Sequence, residues 1–360
     1  MSTVFDTPRD RHPVGGREAA SAVPPRRGLR AWLRSVRVGP AFRGAASDHF
    51  DGERFHNGPG APPARSFGEF WRWHRGRAPT PWPEWLEHGA TPALDLPLAH
   101  DEIAATFVNH MTVLLQFRGL AVLTDPVWST RASPLAFAGP RRVHAPGVAL
   151  EQLPRIDLVL LSHDHYDHLC VDTLVALERA HSPVVVTGLG NRAFLEREGL
   201  RHVVELDWWE RAQVAGSAVT FTPAQHWSGR GPWHRNRSLW GGFVVERAGR
   251  RVFFSGDTGW SPAFGAIRER LGALDIALLP IGAYTPRWFM RVQHMDPADA
   301  VRAHLELGAR RSIATHFGCF QLTDEGIDQP VQDLAEARRR AGVSAAAFAT
   351  LVPGETRVYR

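Results

Sequence analysis

The sequence predicts an α/β protein in which two β-sheets are covered by helices. Three observations lead there. Short apolar runs rich in valine, leucine and phenylalanine recur between about residues 112 and 316, bounded by glycine, proline or polar residues. Stretches suited to helices lie between groups of these runs. Several runs also end on histidine or aspartate, most densely in LVLLSHDHYDHL (158–169).

Taken in order, TVLLQF (112–117) and LAVLTD (120–125) read as a hairpin around Arg118-Gly119. Strands then follow at DLVLLS (157–162), PVVVTG (183–188), AVTFTPA (218–224), GGFVVE (241–246), RVFFSGD (251–257), DIALLP (275–280) and RSIATH (311–316). Helices are expected over 171–180, 191–198, 262–271, 297–308 and 331–341. The fourth has Asp296 at its N-cap, Pro297 at its first helical position and Gly308 as its stop. No repeat period is visible.

Upstream, residues 1–50 are rich in arginine, glycine, proline and alanine, and are expected to form a basic, disordered tail. Within it, 26–39 has the pattern of a short amphipathic helix with Leu29, Trp32, Leu33 and Val36 on one face. That helix would dock on its own domain or lie on an anionic membrane surface. Residues 51–95 include FGEFWRWHRGRAPTPWPEWLEHG, which gathers six tryptophans and phenylalanines among prolines. They are expected to be an irregular arm packed on the domain formed by 96–360.

Composition narrows the function. The chain has 360 residues, 44% hydrophobic and 22% charged, enough for a large core. None of its 42 basic side chains is a lysine, so a Schiff base or lysine nucleophile is excluded. The sequence pI of about 10.1 reflects arginine rather than a concentrated basic patch, because the formal charge is only +5. A nucleic-acid partner is therefore not expected. No apolar run approaches the roughly 20 residues that span a bilayer, and the start of the chain lacks the apolar segment of a secretory signal. With Cys170 and Cys319 as the only cysteines, a cytoplasmic location fits, with peripheral membrane contact as a variant.

The chemistry concentrates after 157–162. His163 and His165 are two residues apart and so point to one side of an extended segment, whereas Asp167 and His168 come as the chain turns towards a helix. One short segment can thus offer two ligands to each of two metal ions, and imidazole with carboxylate suits zinc at about 2.0–2.2 Å. Three more metal-competent side chains follow apolar strands: His226, Asp257 and His316. A histidine-rich surface turn would leave this spacing unexplained.

These segments, SHDHYDH with QHW, SGDTG and THFG, resemble the metal-binding motifs of the metallo-β-lactamase fold, an αββα sandwich whose site lies at one edge of two mixed sheets. The resemblance implies that His163, His165 and His226 hold one metal, that Asp167, His168 and His316 hold the other, and that Asp257 bridges them. TDPVWS (124–129), SPLAFAGPRR (133–142), LDWWE (206–210), LWGGFVVE (239–246) and LLPIGAYTPRWFMRVQHMDPADAV (279–301) further resemble the N-acyl-phosphatidylethanolamine phospholipase D family. The N-terminal arm does not match.

The resemblance implies a dinuclear-zinc phosphodiesterase of phospholipase D type, with iron or manganese as alternative metals. Hydroxide held between the ions would be its nucleophile. Asp167 and His294 are the catalytic candidates, His294 for contact with the phosphate or leaving group. Tyr284, Arg287, Trp288 and His294 are the candidates for substrate binding, with Arg291, Phe289 and Met290 beside them. Asp125 is expected to orient an imidazole, and the two cysteines to pack in the core. The expected partners are a phospholipid or phosphodiester substrate, a membrane touched peripherally, and a second copy of the chain as a homodimer. Two other functions fit the same ligands: a hydrolase of a sugar-phosphate lactone or small ester, and a nucleic-acid processing protein.

Overall fold

Residues 39–360 are described by a computed structural model, apart from 59, 64, 88, 89 and 232. Residues 1–38, with nearly all of the expected basic helix, lie outside the described residues.

The stretch 39–50 corrects the expectation of a tail that runs to residue 50. Ala41 donates its N–H to the Gly190 carbonyl at 2.9 Å, and Phe42 donates to the Arg237 carbonyl at 2.7 Å. Phe50 and Phe55 are buried in the central core, with Phe42 packed against them. These phenylalanines follow no helical or strand period because they fill gaps against distant elements, so periodicity could not find them. Residues 39–57 form a strap across the domain.

The arm that follows is not wholly irregular. It contains helix α1 (Phe67–Arg75), fixed by a capping box in which Ser66 Oγ accepts from the Glu69 N–H and the Glu69 carboxylate accepts from the Ser66 N–H. The prolines that break regular structure sit on either side of it. Trp73 stacks on Phe289 at 4.9 Å, and Arg77 pairs with Asp324 at 3.0 Å, so the arm lies on the domain.

The domain begins with β1 (Ile103–Asn109), β2 (Thr112–Phe117), β3 (Leu120–Thr124) and β4 (Leu158–Leu161). Next come α2 (Val171–Ala180), β5 (Val184–Gly188), α3 (Arg192–Arg197) and β6 (Val203–Leu206), then β7 (Arg211–Val214), β8 (Ser217–Thr222), β9 (Gly242–Arg247) and β10 (Arg250–Phe254). The chain continues through α4 (Ala263–Leu271), β11 (Ile276–Pro280), α5 (Arg287–Met290), α6 (Pro297–Leu307) and β12 (Arg311–Thr315). It ends with α7 (Gln329–Ala341), β13 (Phe348–Ala349) and β14 (Thr356–Tyr359). The Asp296 cap, Pro297 and the left-handed Gly308 of α6 stand where the sequence put them.

Seven strands form each sheet, in the orders β14-β1-β2-β3-β4-β5-β6 and β13-β12-β11-β10-β9-β8-β7. Both are mixed, with parallel pairs from β3 to β6 and from β10 to β13. Alternation along each strand splits its side chains between two cores. Val113 and Leu115 join Phe221, Phe243 and Phe254 between the sheets, whereas Leu114 faces outward into a second core. That second core packs Leu174 and Leu177 of α2 and Phe194 of α3 on the first sheet. A third packs α4, α6 and α7 on the other sheet through Phe264, Ile267, Val301, Leu307 and Leu334. The result is the αββα layering expected from the sequence.

Because Phe50 and Phe55 belong to the inter-sheet core, Phe55→Ala should destabilise the protein by about 3–5 kcal/mol, as for other buried phenylalanines. Denaturant unfolding measures this; a loss below about 1 kcal/mol would mean that the strap is not part of the core.

Candidate metal centre

β1, β3, β4, β8, β10 and β12 leave their sheets at one edge; a polar residue directly follows each of them except β8, where Pro223 and Ala224 precede Gln225 and His226. After β4 the chain passes through His163 and His165, then closes a turn as Leu169 donates to the His165 carbonyl at 2.8 Å. His163 Nε2 lies 2.8 Å from His165 Nδ1, and His226 Nε2 lies 3.3 Å from the same atom. These three nitrogens converge on one point.

Beside them a second group forms. Asp167 Oδ2 is 3.3 Å from His168 Nε2 and 3.4 Å from His316 Nε2. Asp257 stands between the groups, its Oδ2 at 3.2 Å from both His168 and His316 and 3.8 Å from His226. The structure thus brings together all seven residues that the sequence singled out as ligands.

Burial alone would drive every imidazole here towards neutrality and every carboxyl towards its acid form. His163 and His165 follow that rule and are pushed well down, and burial pushes His226 down to about 4, so their lone pairs are free. Four groups defy it. Against burial, Asp257 and Asp167 raise His168 well above its usual value and lift His316 to about 9. Against burial, the same imidazoles hold Asp167 and Asp257 well below the carboxylate range. The carboxylates therefore stay ionised and demand positive charge.

A divalent cation fits that demand. His168 Nε2, His316 Nε2 and Asp257 Oδ1 are buried without a hydrogen-bond partner among the described residues, and imidazole with carboxylate is a donor set for such ions. The surrounding bonds turn the ligand atoms inward. Asp125, expected to orient an imidazole, lies 2.6 Å from His168 Nδ1 and accepts from the Ser162 N–H and hydroxyl. The Ser162 hydroxyl is in turn 2.9 Å from His163 Nδ1. His226 Nδ1 donates to the Gln293 carbonyl at 2.9 Å, which fixes the tautomer and leaves Nε2 as the ligand atom.

Backbone strain gathers at the same edge. Asp125, His110 and His316 have left-handed φ of 31°, 43° and 60°. The His316 N–H donates to the His110 carbonyl at 2.8 Å. A Cβ on Gly282 would come within 2.0 Å of the His316 carbonyl oxygen, so only glycine fits there.

The other candidates divide. His294 stands at the cluster, its Nδ1 3.8 Å from Asp257 Oδ2 and its ring between those of His226 and His316; burial pushes it down to about 3. Tyr284 is buried, with its hydroxyl on Asp333 at 2.5 Å. Arg287 is engaged by Asp296, Asp299 and the His294 carbonyl, so it braces the His294 segment. Trp288 is partly exposed and lines a cavity of about 730 Å³ with Trp73 and Arg72. Cys170 and Cys319 pack together with Val127 and Phe320. Sequence reasoning missed His110, which is buried 3.1 Å from Asp167 Oδ2, its ring tilted by 40° against that of His316 at 4.2 Å. It follows β1 as His316 follows β12, and was overlooked because β1 itself was not foreseen.

A profile described as the beta-lactamase superfamily domain matches residues 121–317. An uncharacterised protein of Mycobacterium tuberculosis is 40% identical over 279 residues, 74% of each chain. The N-acyl-phosphatidylethanolamine-hydrolyzing phospholipase D 1 of Caenorhabditis elegans is 38% identical over 264 residues, 70% of this chain and 74% of that one. Among solved structures, a metallo hydrolase from Ignicoccus hospitalis shares the fold, with a TM-score of 0.56 and 22% identity over 72% of this chain and 99% of that one.

If protons on His168 and His316 hold the place of a cation, divalent metal must displace them. Zinc added to metal-free protein near pH 7.5 should release about two protons, read with an indicator dye in weak buffer, and affinity should fall as pH drops. Release of none would contradict the charge balance described above. The strand-end ligand set, the αββα layers and the superfamily match over residues 121–317 lead to one conclusion: the chain belongs to the metallo-β-lactamase superfamily and has the fold of its metal-dependent hydrolases.

Proposed function

We propose that the protein is a dinuclear-zinc phosphodiesterase of phospholipase D type that cleaves N-acyl-phosphatidylethanolamine-like phospholipids. The observation that carries this reading is the 38% identity to the nematode phospholipase, which extends over 70% of the chain. His163, His165 and His226 would hold one ion, Asp167, His168 and His316 the other, and Asp257 both. Bound there, the ions would supply Lewis acidity and lower the pKa of water.

The chain's own residues do the rest. Hydrolysis forms a bond from water oxygen to phosphorus and breaks the phosphorus–oxygen bond to the N-acylethanolamine, which leaves with a proton; phosphatidic acid remains. His294 is neutral at pH 7, so it would meet the phosphoryl or leaving oxygen as an N–H hydrogen-bond donor. Arg287, through the His294 carbonyl, keeps that ring at the cluster.

Contact with a lipid surface is supported by exposed aromatics. Phe67, Phe70 and Trp71 of α1 and Trp288 of α5 are exposed on adjoining helices, and Phe137 and Trp233 stand out on loops that follow β3 and β8. No helix among the described residues is long and apolar enough to cross a membrane.

Incubation with N-acyl-phosphatidylethanolamine should yield phosphatidic acid and N-acylethanolamine by mass spectrometry. Asp257→Asn should lower that rate at least about 100-fold. An enzyme that opens a sugar-phosphate lactone but leaves the phospholipid and bis-p-nitrophenyl phosphate intact would overturn the proposal. Phe70→Ala with Trp71→Ala should weaken sedimentation with anionic phosphatidylglycerol vesicles several-fold; undiminished binding would remove α1 from the membrane contact.

A further inference from the structure

We propose that Asn57, on the N-terminal strap, is a positioning residue of the metal centre that clamps the backbone of the ligand His226. Its amide meets both polar atoms of that backbone unit. Asn57 Nδ2 donates to the His226 carbonyl at 3.0 Å, and Asn57 Oδ1 accepts from the His226 N–H at 3.1 Å. The same oxygen accepts from Trp240 Nε1 at 3.2 Å, while Trp240 also donates to the Ala224 carbonyl at 3.0 Å. Two donors converge on Oδ1 and one acceptor faces Nδ2, so the amide has a single orientation that satisfies all three.

The strap is itself anchored against the loop that carries His226. Phe55 and Asn236 exchange hydrogen bonds, Phe55 N–H to the Asn236 carbonyl at 2.7 Å and Asn236 Nδ2 to the Phe55 carbonyl at 3.0 Å. Arg54 donates to the Arg235 carbonyl at 2.7 Å. Asn57 fixes the main chain of His226 while the Gln293 carbonyl fixes its ring, so the ligand nitrogen is held from two sides. The matched superfamily domain begins only at residue 121, so this clamp comes from outside it.

Asparagine is required because the clamp needs a donor and an acceptor on one short side chain. Asn57→Asp keeps the shape but sets a carboxylate oxygen against the His226 carbonyl; Asn57→Ala leaves both backbone groups buried without partners.

The proposal rests on His226 being a metal ligand, and its test separates the two ideas. Zinc affinity would be measured by chelator competition, together with the visible spectrum of the cobalt-substituted protein, for wild type, Asn57→Ala, Asn57→Asp and Trp240→Phe. Both Asn57 variants should weaken one of two zinc equivalents by about 10–100-fold and alter the cobalt bands, leaving the other equivalent near wild type. Trp240→Phe, which spares the two bonds to His226, should change affinity less than about threefold. Should Asn57→Ala not fold, the isosteric Asn57→Asp carries the comparison. Wild-type affinities in a folded Asn57 variant would overturn the role of Asn57; a wild-type protein that binds no zinc would instead overturn the metal centre.

Discussion

Carboxylates held away from water are the constraint on which this structure depends. Asp125, Asp167 and Asp257 are buried or nearly so at one edge of the sandwich. An isolated carboxylate there would be prohibitively unfavourable. The fold answers by placing His168 within 3.3 Å of all three and His316 against two of them. The cluster needs positive charge whether protons or a cation provide it, and its side chains are already arranged for either. Left-handed backbone at Asp125, His110 and His316 persists because these contacts and the surrounding sheets hold it in place.

The alternation of one short segment links that cluster to the loop opposite. His163 and His165 face the ligand point, and Asp164 between them faces the other way. There it accepts from the Gly229 N–H at 2.6 Å and the Ser238 hydroxyl at 3.2 Å, while Arg230 donates to its carbonyl at 2.8 Å. Residues 228–238 belong to the loop between β8 and β9 that also carries His226. The segment that carries two candidate ligands from the first sheet thus also anchors the loop that brings a third candidate from the second sheet.

Much of this was legible in the sequence, for a physical reason. Strands buried on both faces must be apolar throughout, and a charged or imidazole side chain at their ends then stands out. That rule located β4, β8, β10 and β12 and the ligands after them. It missed β1, whose Ala104, Ala105 and Thr106 are small although fully buried, and with it His110. It also missed β6, β7 and β14, short strands with polar and half-exposed residues at or next to sheet edges. Helix α1 had a readable signal, the Ser66 to Glu69 capping box, which the nearby prolines obscured. Asn57 had none: its partners lie 169 and 183 residues away, and no local pattern encodes such a contact.

The segment 282–294 shows why shared ligands need not mean a shared substrate. Its shape is imposed from three directions. Glu325 accepts from the N–H groups of Ala283 and Thr285, which fixes the turn after β11. Arg287 ties the His294 carbonyl to Asp296 and Asp299 at the start of α6, a forked contact that a lysine could not reproduce. From above, Arg65 donates to the Phe289 and Trp288 carbonyls, and Trp73 stacks on Phe289. That last set comes from the arm, outside the matched superfamily domain. The wall beside His294 therefore depends on residues that can change while every ligand stays fixed. Selectivity is free to diverge in the arm, whereas the charge balance of the buried carboxylates constrains the centre itself.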